Sequence, residues 1–148
     1  MRTVSIGAVL ALLLSAAWIA SADDQIGKAA PVPALELELK PHRLENVDDK
    51  AGLWQFEGGR VFQKGKHVAN YATVRRVVKK GTQEQNTAML TTTLFFVGKQ
   101  PPENITLQGT HDYNSGDQTG SVSAASGQYV AYIGKTFSTR KSQKLTIK

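Results

Sequence analysis

The chain contains no cysteine. That excludes disulfide bonds, thiolate nucleophiles and any metal site built on sulfur. Histidine is sparse, at His42, His67 and His111 only. None of the three has a second ligand at helical i, i+4 spacing, so no metal site is expected. Serine chemistry has no framework either. Gly120-Ser121-Val122-Ser123 departs from the G-x-S-x-G elbow, and no strand-to-helix switch follows it. Gly65, Gly81 and Gly98 read as turn glycines, without the spacing of a phosphate loop. No mature segment has a convincing helical period, and there is neither a repeat nor a low-complexity tract. No cofactor is expected.

One long apolar run is present, and it lies at the start. Met1-Arg2 gives a positive beginning, Ile6 to Ala20 is nearly continuous apolar sequence, and Ala20-Ser21-Ala22 supplies small residues before Asp23-Asp24. These are the three parts of a secretory signal peptide. The run is shorter than the roughly 20 residues that span a bilayer, which favours cleavage over anchoring. The expectation is a signal peptide over 1–22, a flexible lead-in over 23–33 and a β-barrel domain over 34–148. The product would be secreted or periplasmic, with no membrane span after cleavage. A chain entering an oxidising compartment without cysteine must be stabilised by packing and backbone pairing alone.

Basic residues outnumber acidic ones, 18 to 12, for a formal charge of +6. They are scattered. Only Val74 to Lys80 gathers several, and a strand would divide these between its two faces. Nucleic acid is therefore not an expected partner.

The remainder alternates. Leu35 to Lys40 (LELELK) is strict period-two sequence ended by Pro41. Leu53 to Glu57 (LWQFE), stopped by Gly58-Gly59, and Lys66 to Val78 read as further strands, and Thr87 to Val97 (TAMLTTTLFFV) has the β-branched and aromatic content of a central one. Asn104–Asp112, Gln118–Ala125, Val130–Ser138 and Ser142–Ile147 follow, with Gly127-Gln128-Tyr129 as a tight turn. About eight short strands between turn signals indicate an antiparallel sandwich or barrel. Eight strands closed on themselves enclose either packed side chains or one small ligand.

Two pairs carry the chemistry available to such a domain. Glu36 and Glu38 lie ~7 Å apart on one strand face. Facing a dry cavity, one could serve as a general acid or base, whereas facing water both are ordinary surface charge. His111-Asp112 pairs an imidazole with a carboxylate at a strand end beside Tyr113; an exposed loop edge is its plainer reading. Asn104-Ile105-Thr106 is a glycosylation acceptor by pattern.

Leu94-Phe95-Phe96, Asn104 to Gly109 (NITLQG) and Gly120 to Lys135 (GSVSAASGQYVAYIGK) together resemble the allene oxide cyclase and dirigent superfamily. Ser126-Gly127-Gln128-Tyr129 stands where that family has its T-G-x-F/Y turn, and Gly134 stands at its later glycine. Ala124-Ala125 replaces its glycine pair. The likeness extends over about residues 58–138, loosely at Gly59 to Tyr71. It implies an all-β fold, an eight-stranded antiparallel barrel of the allene oxide cyclase/dirigent type, assembling as dimers or trimers. It also implies an interior that binds a small hydrophobic or phenolic molecule and steers its cyclisation or coupling by positioning, without metal or cofactor. On this reading Glu38 occupies the acidic position of the cyclases, although Lys40 stands where they have asparagine. Trp54, Tyr71 and His111 are the candidate ligand contacts, and Ser126, Gly127, Tyr129 and Gly134 form a structural turn. The competing reading is a non-enzymatic envelope or extracellular interaction protein with a filled barrel core.

Overall fold

The computed structural model describes residues 31–49, 52–77, 87–141 and 143–148. The segment expected as a signal peptide, 1–22, and most of the expected lead-in, 23–33, lie outside these residues. Eight strands follow one another: β1 (Leu35–Asp49), β2 (Gly52–Gln63), β3 (Lys66–Val77), β4 (Thr87–Phe96), β5 (Asn104–Asp112), β6 (Gln118–Ala125), β7 (Thr136–Arg140) and β8 (Lys144–Ile147). Each pairs antiparallel with the next, and β8 pairs back on β1, closing an all-β barrel in chain order. No helix among the described residues is long and apolar enough to cross a membrane.

Alternation sets the inside and outside of most strands. Leu35, Leu37 and Leu39 point inward while Glu36, Glu38 and Lys40 are exposed. The same parity buries Leu94 and Phe96, Ile105 and Leu107, and Leu145 and Ile147. With Val61, Val122 and Phe137 these side chains make one continuous core. Without disulfides, this apolar packing and the closed backbone ladder carry the stability.

Three strands depart from the sequence expectation, each for a physical reason. β1 does not stop at Pro41 but continues to Asp49 through a register shift between Pro41 and Arg43. Proline lacks a donor for the ladder, and a bulge is a place where a strand tolerates it. β2 runs through Gly58-Gly59 instead of ending there. Gly59 is enclosed: a Cβ on it would collide with the Lys40 carbonyl oxygen and the Tyr71 ring. Glycine here marks close approach, not a turn. Val130 to Tyr132, expected as strand, belongs to a 3-10 turn spanning Gly127–Tyr132, and β7 begins only at Thr136.

That turn plugs the lower end of the barrel, where the chain enters β1 and where β2–β3, β4–β5 and β6–β7 connect. The Asn104 N–H donates to Ser126 Oγ at 2.9 Å. Gly127 takes a left-handed φ of +60° with the Glu103 side chain packed where a Cβ would stand. Tyr129 stacks on Phe96 with ring centroids 3.9 Å apart. Gly134, at φ +80°, donates its N–H to the Val122 carbonyl at 2.9 Å. Tyr132 is buried, and its hydroxyl donates to the Pro33 carbonyl at 3.0 Å. Val32 packs against the core beside it. Ser126, Gly127, Tyr129 and Gly134 thus share one structural device, the floor of the barrel.

Candidate functional site

The interior changes character toward the upper end, where β1–β2, β3–β4, β5–β6 and β7–β8 connect. On five of the strands the upper inward positions are polar, while β4 and β8 keep Ala88, Leu90 and Leu145 there. β2 contributes Gln55 and Glu57, β3 contributes Thr73 and Arg75, β5 contributes His111, β6 Gln118 and β7 Thr139. Strand register joins them in two groups, Gln55 with Arg75, and His111 with Gln118 and Thr139; the Tyr113 side chain links the groups by bonding Gln55 and packing on His111.

Glu57 organises one side of this ring. Its Oε2 accepts from Arg75 Nη1 at 2.8 Å, and its Oε1 accepts from the Tyr71 hydroxyl at 2.7 Å. The ion pair is sheltered, with side chains only 5% and 12% exposed for Arg75 and Glu57. A sheltered pair persists only where both charges are well bonded, which the Tyr71 hydroxyl assists. Burial, followed by the hydrogen bond to Glu57, pushes the Tyr71 hydroxyl far above its ordinary range, so it stays protonated and donates. Between Tyr71 and Arg75 on β3, Thr73 shares a buried 2.7 Å hydrogen bond with Thr92 on β4.

The polar interior is not fully bonded. Arg75 Nε, His111 Nδ1 and Thr139 Oγ1 are buried without a hydrogen-bond partner among the described residues. Leaving such atoms bare costs free energy, so three in the upper interior mark a region that polar groups can complete. Burial first, then the Arg75 charge, holds His111 below its ordinary value, against weaker opposing effects of Glu57 and Asp112. The imidazole is therefore neutral near pH 7 and able either to donate or to accept.

Just below His111 and Gln118 the wall is bare backbone. Gly109 and Gly120 face each other on β5 and β6, and a Cβ on either would collide with the opposite strand. No side chain projects inward from that pair.

Tyr113 spans the mouth from the β5–β6 turn. Its hydroxyl donates to Gln55 Oε1 on β2 at 2.6 Å, and its ring meets His111 in a T-shaped contact with centroids 4.5 Å apart. The turn beneath it is bonded locally: Asp112 accepts from the Asn114 N–H at 2.8 Å and from the Ser115 hydroxyl at 3.1 Å. These bonds, the Asn114 one foremost, hold the Asp112 carboxyl below its usual range despite some desolvation.

The sequence-derived candidates divide. Tyr71 and His111 lie in this interior. Trp54 does not: it faces outward, with the Arg76 guanidinium 5.1 Å over its ring, and lines a shallow external groove with Val74, Met89 and Gln108. Glu38 is likewise outside, exposed, with Lys40 Nζ at 3.5 Å. The buried setting that general acid–base work needs is absent there, because Leu37 and Leu39 take the inward positions. Glu36 is exposed on the same outer face. No cluster of three or more potential metal-ligating side chains occurs among the described residues.

Glu57, Arg75, Gln118 and Thr139 escaped the sequence reading. The available signal was inverted alternation. In Leu53–Glu57 the inward positions are Gln55 and Glu57 while Trp54 and Phe56 face out. In Tyr71-x-Thr73-x-Arg75 the period-two face is the polar-tipped one. No family model, curated protein or solved structure matches the chain.

Proposed function

We propose that the chain is an exported barrel whose upper interior binds a small, largely apolar or phenolic molecule. Held there, the molecule would cyclise or couple along one stereochemical path, by positioning rather than by covalent chemistry. The observation that carries this reading is the set of three buried, unpartnered polar atoms, Arg75 Nε, His111 Nδ1 and Thr139 Oγ1, on inward positions of the upper barrel. Apolar side chains below and a few polar groups above are the usual composition of a small-molecule site. The Gly109–Gly120 pair adds a stretch of wall free of side chains, and Tyr113 forms a ceiling.

The test is native mass spectrometry of the protein recovered from the exported fraction. A retained small molecule, lost in a His111→Phe/Thr139→Val double variant, supports the reading. An empty barrel that also fails to bind apolar and phenolic probes overturns it. The same spectrum reports the mass after export, expected to begin near Asp23, and whether the protein is a monomer, dimer or trimer.

A second reading is favoured by one observation. Trp54, Phe56, Val74 and Met89 place apolar surface on the outer face of β2–β4, next to Arg76. An envelope interaction protein would use such a face. Salt-dependent retention on an anionic polymer, abolished by Arg76→Gln with no small molecule retained, would favour this alternative.

A further inference from the structure

The charge balance of the upper ring restricts what it can receive. Arg75 is the one buried Lys or Arg among the described residues; every other described Lys and Arg side chain is exposed. Its positive charge is already matched by Glu57 at 2.8 Å. His111 adds none near pH 7, because burial and the Arg75 charge keep it neutral. The ring is therefore electrically complete but short of hydrogen bonds. Arg75 Nε–H can only donate, while Thr139 and His111 can donate or accept.

We infer that the head of the molecule bound at this level is a neutral oxygen, a carbonyl or a hydroxyl, and not a carboxylate. The inference rests on the ligand-binding reading above and adds a chemical class to it. A neutral oxygen takes the Arg75 Nε–H bond, with His111 completing its shell, and leaves the interior charge unchanged. A carboxylate brings a second negative charge to a sheltered site holding one positive charge, and one of the two anions is then left without a counter-ion. A buried unpaired charge is among the largest penalties a protein interior imposes. Glu57 is thus the specificity-determining residue: it consumes the one charge that would otherwise attract an acid.

The experiment compares molecules sharing one skeleton. Binding of methyl cinnamate, cinnamyl alcohol and cinnamate to the mature barrel is followed by chemical-shift perturbation at pH 7.5. The ester and the alcohol are expected to bind at least about tenfold more tightly than the acid. In Glu57→Gln, checked for folding by circular dichroism, Arg75 becomes an uncompensated cation and the preference moves toward cinnamate. Equal or tighter binding of cinnamate to the unsubstituted protein overturns the charge argument while leaving the barrel a binder. Failure of all three compounds, and of a neutral apolar dye such as Nile red, overturns the ligand reading and this inference with it. The comparison on the unsubstituted protein decides the matter even if Glu57→Gln does not fold.

Discussion

Arg75 on β3 and Glu57 on β2 meet inside the barrel at 2.8 Å, two residues out of direct register, because Glu57 pairs across the ladder with Thr73. The diagonal lets Glu57 also accept from Tyr71, which lies one inward position below Thr73. The carboxylate is therefore tied from both directions along β3. Glu57→Ala strands the guanidinium in a sheltered site and is expected to cost about 3–5 kcal/mol. Replacing both partners, as Glu57→Leu/Arg75→Met, should cost less than either single change. Urea denaturation of the four proteins checks this; a double variant as damaged as the sum of the singles would contradict it.

Gly59 and Gly65 make a second comparison. A Cβ on Gly59 meets the Lys40 backbone and the Tyr71 ring, whereas Gly65 sits in open space at φ +79°. Gly65→Ala pays only for backbone conformation, about 1 kcal/mol. Gly59→Ala must push strands apart and displace the ring that bonds Glu57, so its loss should be the larger, at least ~2 kcal/mol. Thermal melts of the two variants rank them directly.

Histidine 111 gives the pH dependence a sign. Its folded value lies below the ordinary 6.5. The unfolded chain then binds a proton that the folded one refuses. Stability from this residue is complete above about pH 6.5 and is lost as pH falls below it. Melting temperature should rise from pH 5 to pH 7.5, and His111→Asn should flatten that rise. Asp112 shifts downward as well, but its window lies below its ordinary 3.8 and does not overlap.

Tyr113 is half-exposed, and its hydroxyl ties the β5–β6 turn to β2 through Gln55. Tyr113→Phe keeps the ring on His111 and removes the 2.6 Å bond. Stability should change by less than ~1 kcal/mol, since a partly solvated hydrogen bond contributes little net. Release of bound Nile red, followed by stopped-flow fluorescence, should quicken. An unchanged release rate would remove Tyr113 from the path into the barrel.

How much of this was legible in the sequence follows from where alternation obeys solvent. In β1 the leucines report the core and the glutamates report water, so LELELK fixes its own orientation. The all-β fold was readable on the same grounds, from strand after strand of that pattern and the turns between them, but alternation alone left sandwich and barrel equal. In β2 the rule is inverted: Trp54 and Phe56 look like core yet face outward, because register with β1 and β3 places Gly59 and Val61 inward. The polar positions of that strand were consequently invisible as a site. Tyr71 and His111 were accessible as isolated candidates, but the bond from Tyr71 to Glu57 depends on a contact between strands that no local pattern encodes. Pro41 misled for a related reason, since a bulge is specified by the partner strand as much as by the proline.

The upper half of β1 has a further consequence. β1 pairs with β8 only over Leu35–Glu38, while Arg43–Asp49 pair with β2 alone. One edge of that segment presents free backbone groups with no strand partner among the described residues. Such an edge is a template on which a second chain can stack. Arg43, Glu45 and Asp48 are all exposed there, and the Pro41 bulge bends the edge at its root. Replacing those charges with valine or threonine would leave the barrel intact and turn the rim into a seed for fibrils. The charged rim thus opposes edge-to-edge pairing in a barrel that has no disulfide to pin it.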